Sequence, residues 1–240
     1  MWDKPQVMLW TANFLYALTA VLLLYAVLFV VIHLPIFPLR TVQVHGEMQH
    51  ITREQLHLIV NSHLQGNFFT LDLMKTQDAF RKLPWVRNVS IRRRWPDRLE
   101  VVVEEHRELA RWGNIALVDS YGELFQAASD RDLPVFYGPG DGVLEVAQHY
   151  AIYSQLLSTT GLKVTQLALS PRRAWQVATD SGMVIELGRE QMEARLQKFV
   201  SVYPKTLGLL KVAVSYADLR YPNGFAVRKP VAATHRVGAA

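Results

Sequence analysis

The chain has 240 residues, a formal net charge of +5 and no cysteine. Without thiols it can build no disulfide framework, thiol nucleophile or thiolate metal site. Its modest positive charge suits a nucleic-acid binder or an envelope protein near anionic lipid and does not choose between them.

No Asp, Glu, Lys or Arg interrupts the sequence between Lys4 and Arg40, and the run from Val7 to about Ile32 is apolar. About 20 such residues cross a hydrocarbon core of roughly 30 Å. The spacing predicts a cytoplasmic segment over 1–10 and a transmembrane helix over 11–32. A cleavable signal peptide fits less well, because its apolar run is shorter and ends at a small-residue site. Here the exit reads Ile32-His33-Leu34-Pro35-Ile36-Phe37-Pro38. Trp2 and Trp10 sit near one boundary, where amphipathic rings prefer the headgroup layer. The N-terminal charge excess is weak, and long domains translocate largely regardless of charge, so the bulk of the chain is expected outside the cytoplasm.

A first block is expected over 39–108. It opens with a strand, Thr41–Gly46. A helix follows whose start carries Thr52 at the cap, Gln55 three residues on, and Ile51 with Leu56 as a hydrophobic staple. Its apolar stripe is Leu56, Ile59, Val60 and His63, the last read as a helix residue and not a ligand. After a Gly66-Asn67 turn, a second helix is capped near Asp72, carries Leu73, Phe80 and Leu83 on one side, and stops at Pro84. Two alternating segments flank the turn Trp95-Pro96-Asp97-Arg98. Val89 and Ile91 oppose Ser90, Arg92 and Arg94, while Leu99, Val101 and Val103 oppose Glu100, Val102 and Glu104. Arginines facing glutamates across these strands suit a solvated face. The order strand, helix, helix, strand, strand predicts a three-stranded sheet with both helices on one side.

A second block is expected over 109–228, with a frayed tail at 229–240. Ala116–Phe125 reads as a hairpin turning near Ser120-Tyr121-Gly122. Gly138-Pro139-Gly140-Asp141-Gly142 is a loop before a helix of about Val143 to Thr160. Strands are predicted at Lys163–Leu169, Ala174–Thr179 and Met183–Leu187, and a helix from Glu190 to Tyr203 with Met192, Leu196, Phe199, Val200 and Tyr203 on one stripe. Val212, Val214 and Tyr216 then alternate toward a final hairpin, Asp218–Arg228, turning at Pro222-Asn223-Gly224.

Catalytic, cofactor and metal signatures are absent from the sequence. The Gly138, Gly140, Gly142 series lacks a clear preceding strand and has the wrong third spacing for a dinucleotide fingerprint. Glu104-Glu105-His106 reads as a solvated strand end. Arg92-Arg93-Arg94-Trp95 mixes base and aromatic as nucleic-acid patches do, but alternate members face opposite sides, so a solvated strand face is the reading taken. What remains is a tethered recognition scaffold whose C-terminal hairpin offers a free sheet edge, with Tyr221 and Phe225 either on that edge or closing the core.

The run Leu83–Leu99, followed by Val103-Glu104-Glu105 and Ala110-Arg111-Trp112, resembles the POTRA signature of the bacterial FtsQ/DivIB cell division family. Similarity continues through Val118-Asp119, Tyr137-Gly138-Pro139, Arg172–Gln176, Leu187-Gly188-Arg189, Arg195–Val200 and Asp218–Tyr221. The resemblance implies an α+β chain: one transmembrane helix, a β-α-α-β-β POTRA domain, then a mixed β-domain whose antiparallel-rich sheet ends in an edge hairpin. It implies a non-enzymatic, cofactor-free, single-pass protein of the inner membrane, C-terminus periplasmic, enriched at the septum. Its partners are FtsB and FtsL, with further division proteins on the POTRA domain and no nucleic acid or small-molecule substrate; the complex links early septal components to peptidoglycan synthesis. Carried over by position, the residues of the FtsB-binding motif are Arg220, Tyr221, Asn223 and Gly224, and Phe225 is expected beside them as an apolar anchor with Tyr221. Arg172, in preference to Arg173, meets an acidic residue of the partner helix. Pro222 alters local pairing if the partner needs its N–H. The competing expectations are a membrane-anchored peptidoglycan hydrolase and a POTRA protein of outer-membrane assembly.

Overall fold

The computed structural model describes residues 5–34, 37–63, 67–209 and 213–230, which fall into two compact units dividing after Glu105. The side chain of His63, the Gly66 turn, Val212 and the tail beyond 230 lie outside the described residues.

The first unit begins with α1, Pro5–His33, whose stretch Met8–His33 is long and apolar enough to cross a membrane and exposes its apolar side chains along its length. Strand β1 (Thr41–His45), helices α2 (Arg53–His63) and α3 (Leu73–Arg81), and strands β2 (Val86–Arg94) and β3 (Arg98–Glu105) follow in the expected order. Both helix starts form as read. Thr52 and Gln55 exchange backbone-to-side-chain bonds of 3.1 and 3.3 Å, and the Asp72 carboxylate accepts from Met74 and Lys75 N–H at 3.1 Å. Ile51 and Leu56 are buried, and Phe80 is sealed against Val89, Leu99, Val101 and Val103.

β3 occupies the middle of this sheet, antiparallel to β2 and parallel to β1 in the register Thr41↔Arg98. The cross-strand pairs form, Arg94 to Glu100 at 2.8 Å and Arg87 to Glu104 at 2.9 Å. The strand end at 104–106 departs from the expectation of a solvated cluster. Glu105 is buried, and its carboxylate accepts the N–H groups of Gln49, His50 and Ile51 at 2.9–3.3 Å, ordering the approach to α2. Three donors satisfy a carboxylate that burial would otherwise penalise.

The second unit is built on a nine-stranded sheet. Its strands in chain order are β4 (Glu108–Trp112), β5 (Ala116–Asp119), β6 (Leu124–Phe125), β7 (Val135–Tyr137), β8 (Val164–Leu169), β9 (Trp175–Thr179), β10 (Val184–Gly188), β11 (Tyr216–Asp218) and β12 (Ala226–Arg228). Their spatial order is β12-β11-β10-β9-β8-β7-β4-β5-β6. Pairings are antiparallel except β4/β7, β7/β8 and β10/β11. Helices α4 (Val143–Ser158) and α5 (Met192–Val202) pack on each other and over β8 and β10, with Tyr153, Leu157, Leu196 and Phe199 inaccessible to solvent.

Two of these strands, β4 and β7, have no counterpart in the sequence reading. β7 is three residues long between Pro134 and Gly138, too short to show a period, yet it lies parallel between β4 and β8. It also corrects the reading that no strand feeds the glycine loop, because β7, that loop, α4 and β8 form a βαβ crossover. The loop glycines serve packing: a Cβ at Gly138 or Gly142 would lie 3.1 Å from Trp112 or Leu169. The start of α4 carries Asp141 and Glu145, an acidic surround that repels phosphate.

Candidate partner-binding edge

The final hairpin is held from inside. Tyr216, Ala217 and Asp218 of β11 face Arg228, Val227 and Ala226 of β12. The Arg228 guanidinium stands 5.3 Å from the centre of the Tyr216 ring, and Ser215 N–H donates to Arg228 C=O at 2.9 Å. Burial, followed by the charge of Asp218, pushes the Tyr216 hydroxyl above its ordinary pKa. All three residues of β12 are exposed, and no strand pairs with its outer side among the described residues.

The site residues read from sequence separate into different kinds. Arg220 is not a free charge. Its Nη2 and Nε donate to Asp218 at 2.7 and 2.9 Å, and its own N–H donates to the same carboxylate at 3.0 Å. The Arg220 guanidinium is the main cause holding the Asp218 carboxyl below the usual range. The Arg220 stem also packs on Gly188, which has φ +79° and where an added Cβ would lie 3.1 Å from Arg220 Cγ. Arg220 therefore braces the exit of β11 while its side chain stays 57% exposed.

Phe225 also packs inward. It is partly buried and meets the inaccessible Phe199 edge-on, with ring centres 5.2 Å apart and planes at 75°. Tyr221 is 57% exposed, and so presents most of its ring to solvent. Asn223 and Gly224 lie between them, and a Cβ at Gly224 would meet nothing within 4 Å. Tyr221, Pro222, Gly224 and Phe225 form one wall of a shallow groove of about 270 Å³, and Glu190, Gln191, Arg195 and Lys198 at the start of α5 help form the other.

The two arginines of the β8–β9 connection divide cleanly. Arg173 holds a left-handed conformation, φ 59°, and its guanidinium bonds to Glu145 and, at 2.7 Å, to Asp141. Arg172 is exposed and makes no ion pair among the described residues. The sheet register brings this connection to the same end as the 219–225 loop, because Leu169 and Gly188 both pair with Trp175, Glu186 with Asp218, and Asp218 with Ala226. Three strand spacings separate β9 from β12, about 14 Å. Arg172, Tyr221, Asn223 and Gly224 thus lie along one end of the sheet, next to its open edge.

One feature escaped the sequence reading. His106, Asp119 and the exposed Glu123 bring possible ligand atoms within 4.8 Å of one another. Asp119, however, already accepts from His106 Nδ1 at 2.8 Å and from the N–H groups of Tyr121 and Glu123 at 2.9 and 2.8 Å. His106 stacks on Phe125 at 4.2 Å. The carboxylate organises the β5–β6 turn, and those bonds account for it without an ion.

Comparison with known proteins matches both units. A family described as "POTRA domain, FtsQ-type" matches residues 37–106, and one described as "Cell division protein FtsQ/DivIB, C-terminal" matches residues 110–220. The second match stops at Arg220, so the loop and edge strand beyond it rest on the geometry above. Among curated relatives, a "Cell division protein FtsQ" of Nitrosospira multiformis is 43% identical over 233 residues, 95% of this chain and 99% of the relative. Proteins of the same name from Burkholderia pseudomallei and Neisseria gonorrhoeae are 39% and 34% identical, each aligned over 95% of this chain and over 94% and 95% of the relative. With one POTRA unit and one C-terminal sheet unit in order behind one apolar helix, the chain belongs to the FtsQ family of cell division proteins.

Proposed function

We propose that the chain is a non-catalytic scaffold of the bacterial division septum, single-pass in the inner membrane with both units in the periplasm. Its open β12 edge receives a strand of FtsB from the FtsB–FtsL complex. The observation that carries this reading is the edge itself: an exposed final strand with its outer side unoccupied among the described residues. Such an edge either aggregates or is completed by a partner strand.

Three residues supply few ladder bonds, so side chains beside the edge must contribute. Exposed Tyr221 is the aromatic anchor, Asn223 and Gly224 allow close approach, and Arg172 meets an acidic group on the partner. Arg220 and Phe225 act as positioning residues that hold the hairpin ready. Anchoring both partners in one membrane raises their effective concentration, so a moderate intrinsic affinity suffices. The assembled complex then connects early septal components to peptidoglycan synthesis, and the POTRA unit meets further division proteins.

The test is co-expression of the full chain with tagged FtsB and FtsL. Tyr221→Ala is expected to lower capture by about thirtyfold, the loss typical of an aromatic hot spot of about 2 kcal/mol, with an unchanged thermal melt. Undiminished capture alongside an unchanged melt would defeat the proposal.

A further inference from the structure

We propose that the β2–β3 tip of the first unit docks on the anionic surface of the same bilayer that α1 crosses. The inference rests on α1 spanning that bilayer and is independent of strand capture at β12.

Covalent geometry fixes the distance. Arg40 lies seven residues beyond His33, the last residue of α1, so it is at most about 25 Å from the membrane exit. Arg40 N–H donates to Asp97 C=O at 3.0 Å, and the parallel register begins with Thr41 opposite Arg98. The tip is thereby pinned beside Arg40, and so is kept within that reach of the membrane exit. A second set of bonds ties the same end of the unit to α1. Asn67 Nδ2 donates to Ile32 and Leu34 C=O at 2.6 and 3.1 Å, and Arg93 Nη2 donates to Leu71 C=O at 2.6 Å.

The side chains gathered there are those that a headgroup layer accepts. Trp95 is 80% exposed, an extreme value for the largest side chain. Phe69 is also exposed, 44%, on the segment that Asn67 ties to α1. Arg40, Arg92, Arg93, Arg94 and Arg98 surround them, against the carboxylates of Asp97 and Glu100. Tryptophan concentrates at membrane–water interfaces, and each basic residue near an anionic surface strengthens association by about fivefold. A net excess of three charges therefore gives on the order of a hundredfold preference for an anionic over a neutral surface. The tether keeps that surface within reach at all times, which favours lipid over a nucleic acid or an acidic protein segment that must be recruited.

The experiment uses the full chain in nanodiscs of phosphatidylcholine alone and of phosphatidylcholine mixed with phosphatidylglycerol. The signal of Trp95 is isolated as the fluorescence difference between the wild type and Trp95→Phe. In anionic discs, acrylamide quenching of Trp95 is expected to fall by about threefold relative to neutral discs, and a nitroxide placed on lipid headgroups is expected to quench it. Arg92→Gln with Arg98→Gln is expected to return Trp95 to its neutral-disc accessibility while the melt stays unchanged, because both side chains are exposed. Equal accessibility in both discs overturns the proposal. So does protection that ignores the arginine substitutions, or protection that appears only after FtsB–FtsL or an acidic peptide is added.

Discussion

Phe225→Ala separates a residue that orders the recognition hairpin from one that touches a partner. The Phe225 ring lies edge-on to Phe199, which is inaccessible to solvent, while its other side remains partly open. Removing a fully buried phenylalanine costs about 3–5 kcal/mol, and partial burial reduces this to about 2 kcal/mol. At about 4 °C per kcal/mol for a unit of this size, the second unit should melt about 8 °C lower. The melt is best followed in the full chain by near-ultraviolet ellipticity, to which buried Trp175 contributes. A double-mutant cycle with Phe199→Leu should return a coupling of about 1 kcal/mol, the value of an edge-to-face pair beyond its buried area. The Tyr221→Ala variant should leave the same transition in place, since the ring it removes is mostly exposed. An unchanged melt for Phe225→Ala, or a zero coupling, would refute the assignment of this ring to the core.

Two further outcomes follow from the geometry. The Asp218 carboxyl titrates below its ordinary value near 3.8 chiefly because Arg220 bonds to it, so its stabilising contribution is complete above that value and is lost as pH falls through the lowered folded one. Asp218→Asn should therefore be less stable than the wild type at neutral pH, with the gap narrowing below about pH 4; a gap constant from neutral to acid pH, measured by urea unfolding, contradicts this. Gly46 has φ +149°, and a Cβ there would lie 2.2 Å from the Val103 carbonyl oxygen on the neighbouring strand. Backbone cannot yield as a side-chain tip can, so Gly46→Ala should destabilise the first unit by more than about 3 kcal/mol, visible as lost thermal protection of β1 and β3 amides in hydrogen exchange.

The sequence by itself determined the elements with strong local signals. The uncharged stretch from residue 5 to 39 made α1 visible, because hydrocarbon admits only a long apolar helix there. Thr52 with Gln55, and Asp72, announced two helix starts, since caps are satisfied within a few residues of chain. Alternation marked β2 and β3, where one face meets a core and the other meets water. The final hairpin was legible too, from alternation on either side of Pro222-Asn223-Gly224.

Only the tertiary structure decided what depends on distant neighbours. β7 is a strand because β4 and β8 lie on either side of it, and three residues carry no period that reveals this. Glu105 is buried because three backbone donors from residues 49–51 converge on it, a contact spanning more than fifty positions. Arg172 and Arg173 are chemically identical neighbours, and what parts them is the left-handed turn that sends one guanidinium to Asp141 and Glu145. Likewise only the fold supplies Asp218 and Phe199 as the partners of Arg220 and Phe225. Local patterns report which elements form, whereas the availability of a side chain depends on which groups the rest of the chain brings within bonding distance.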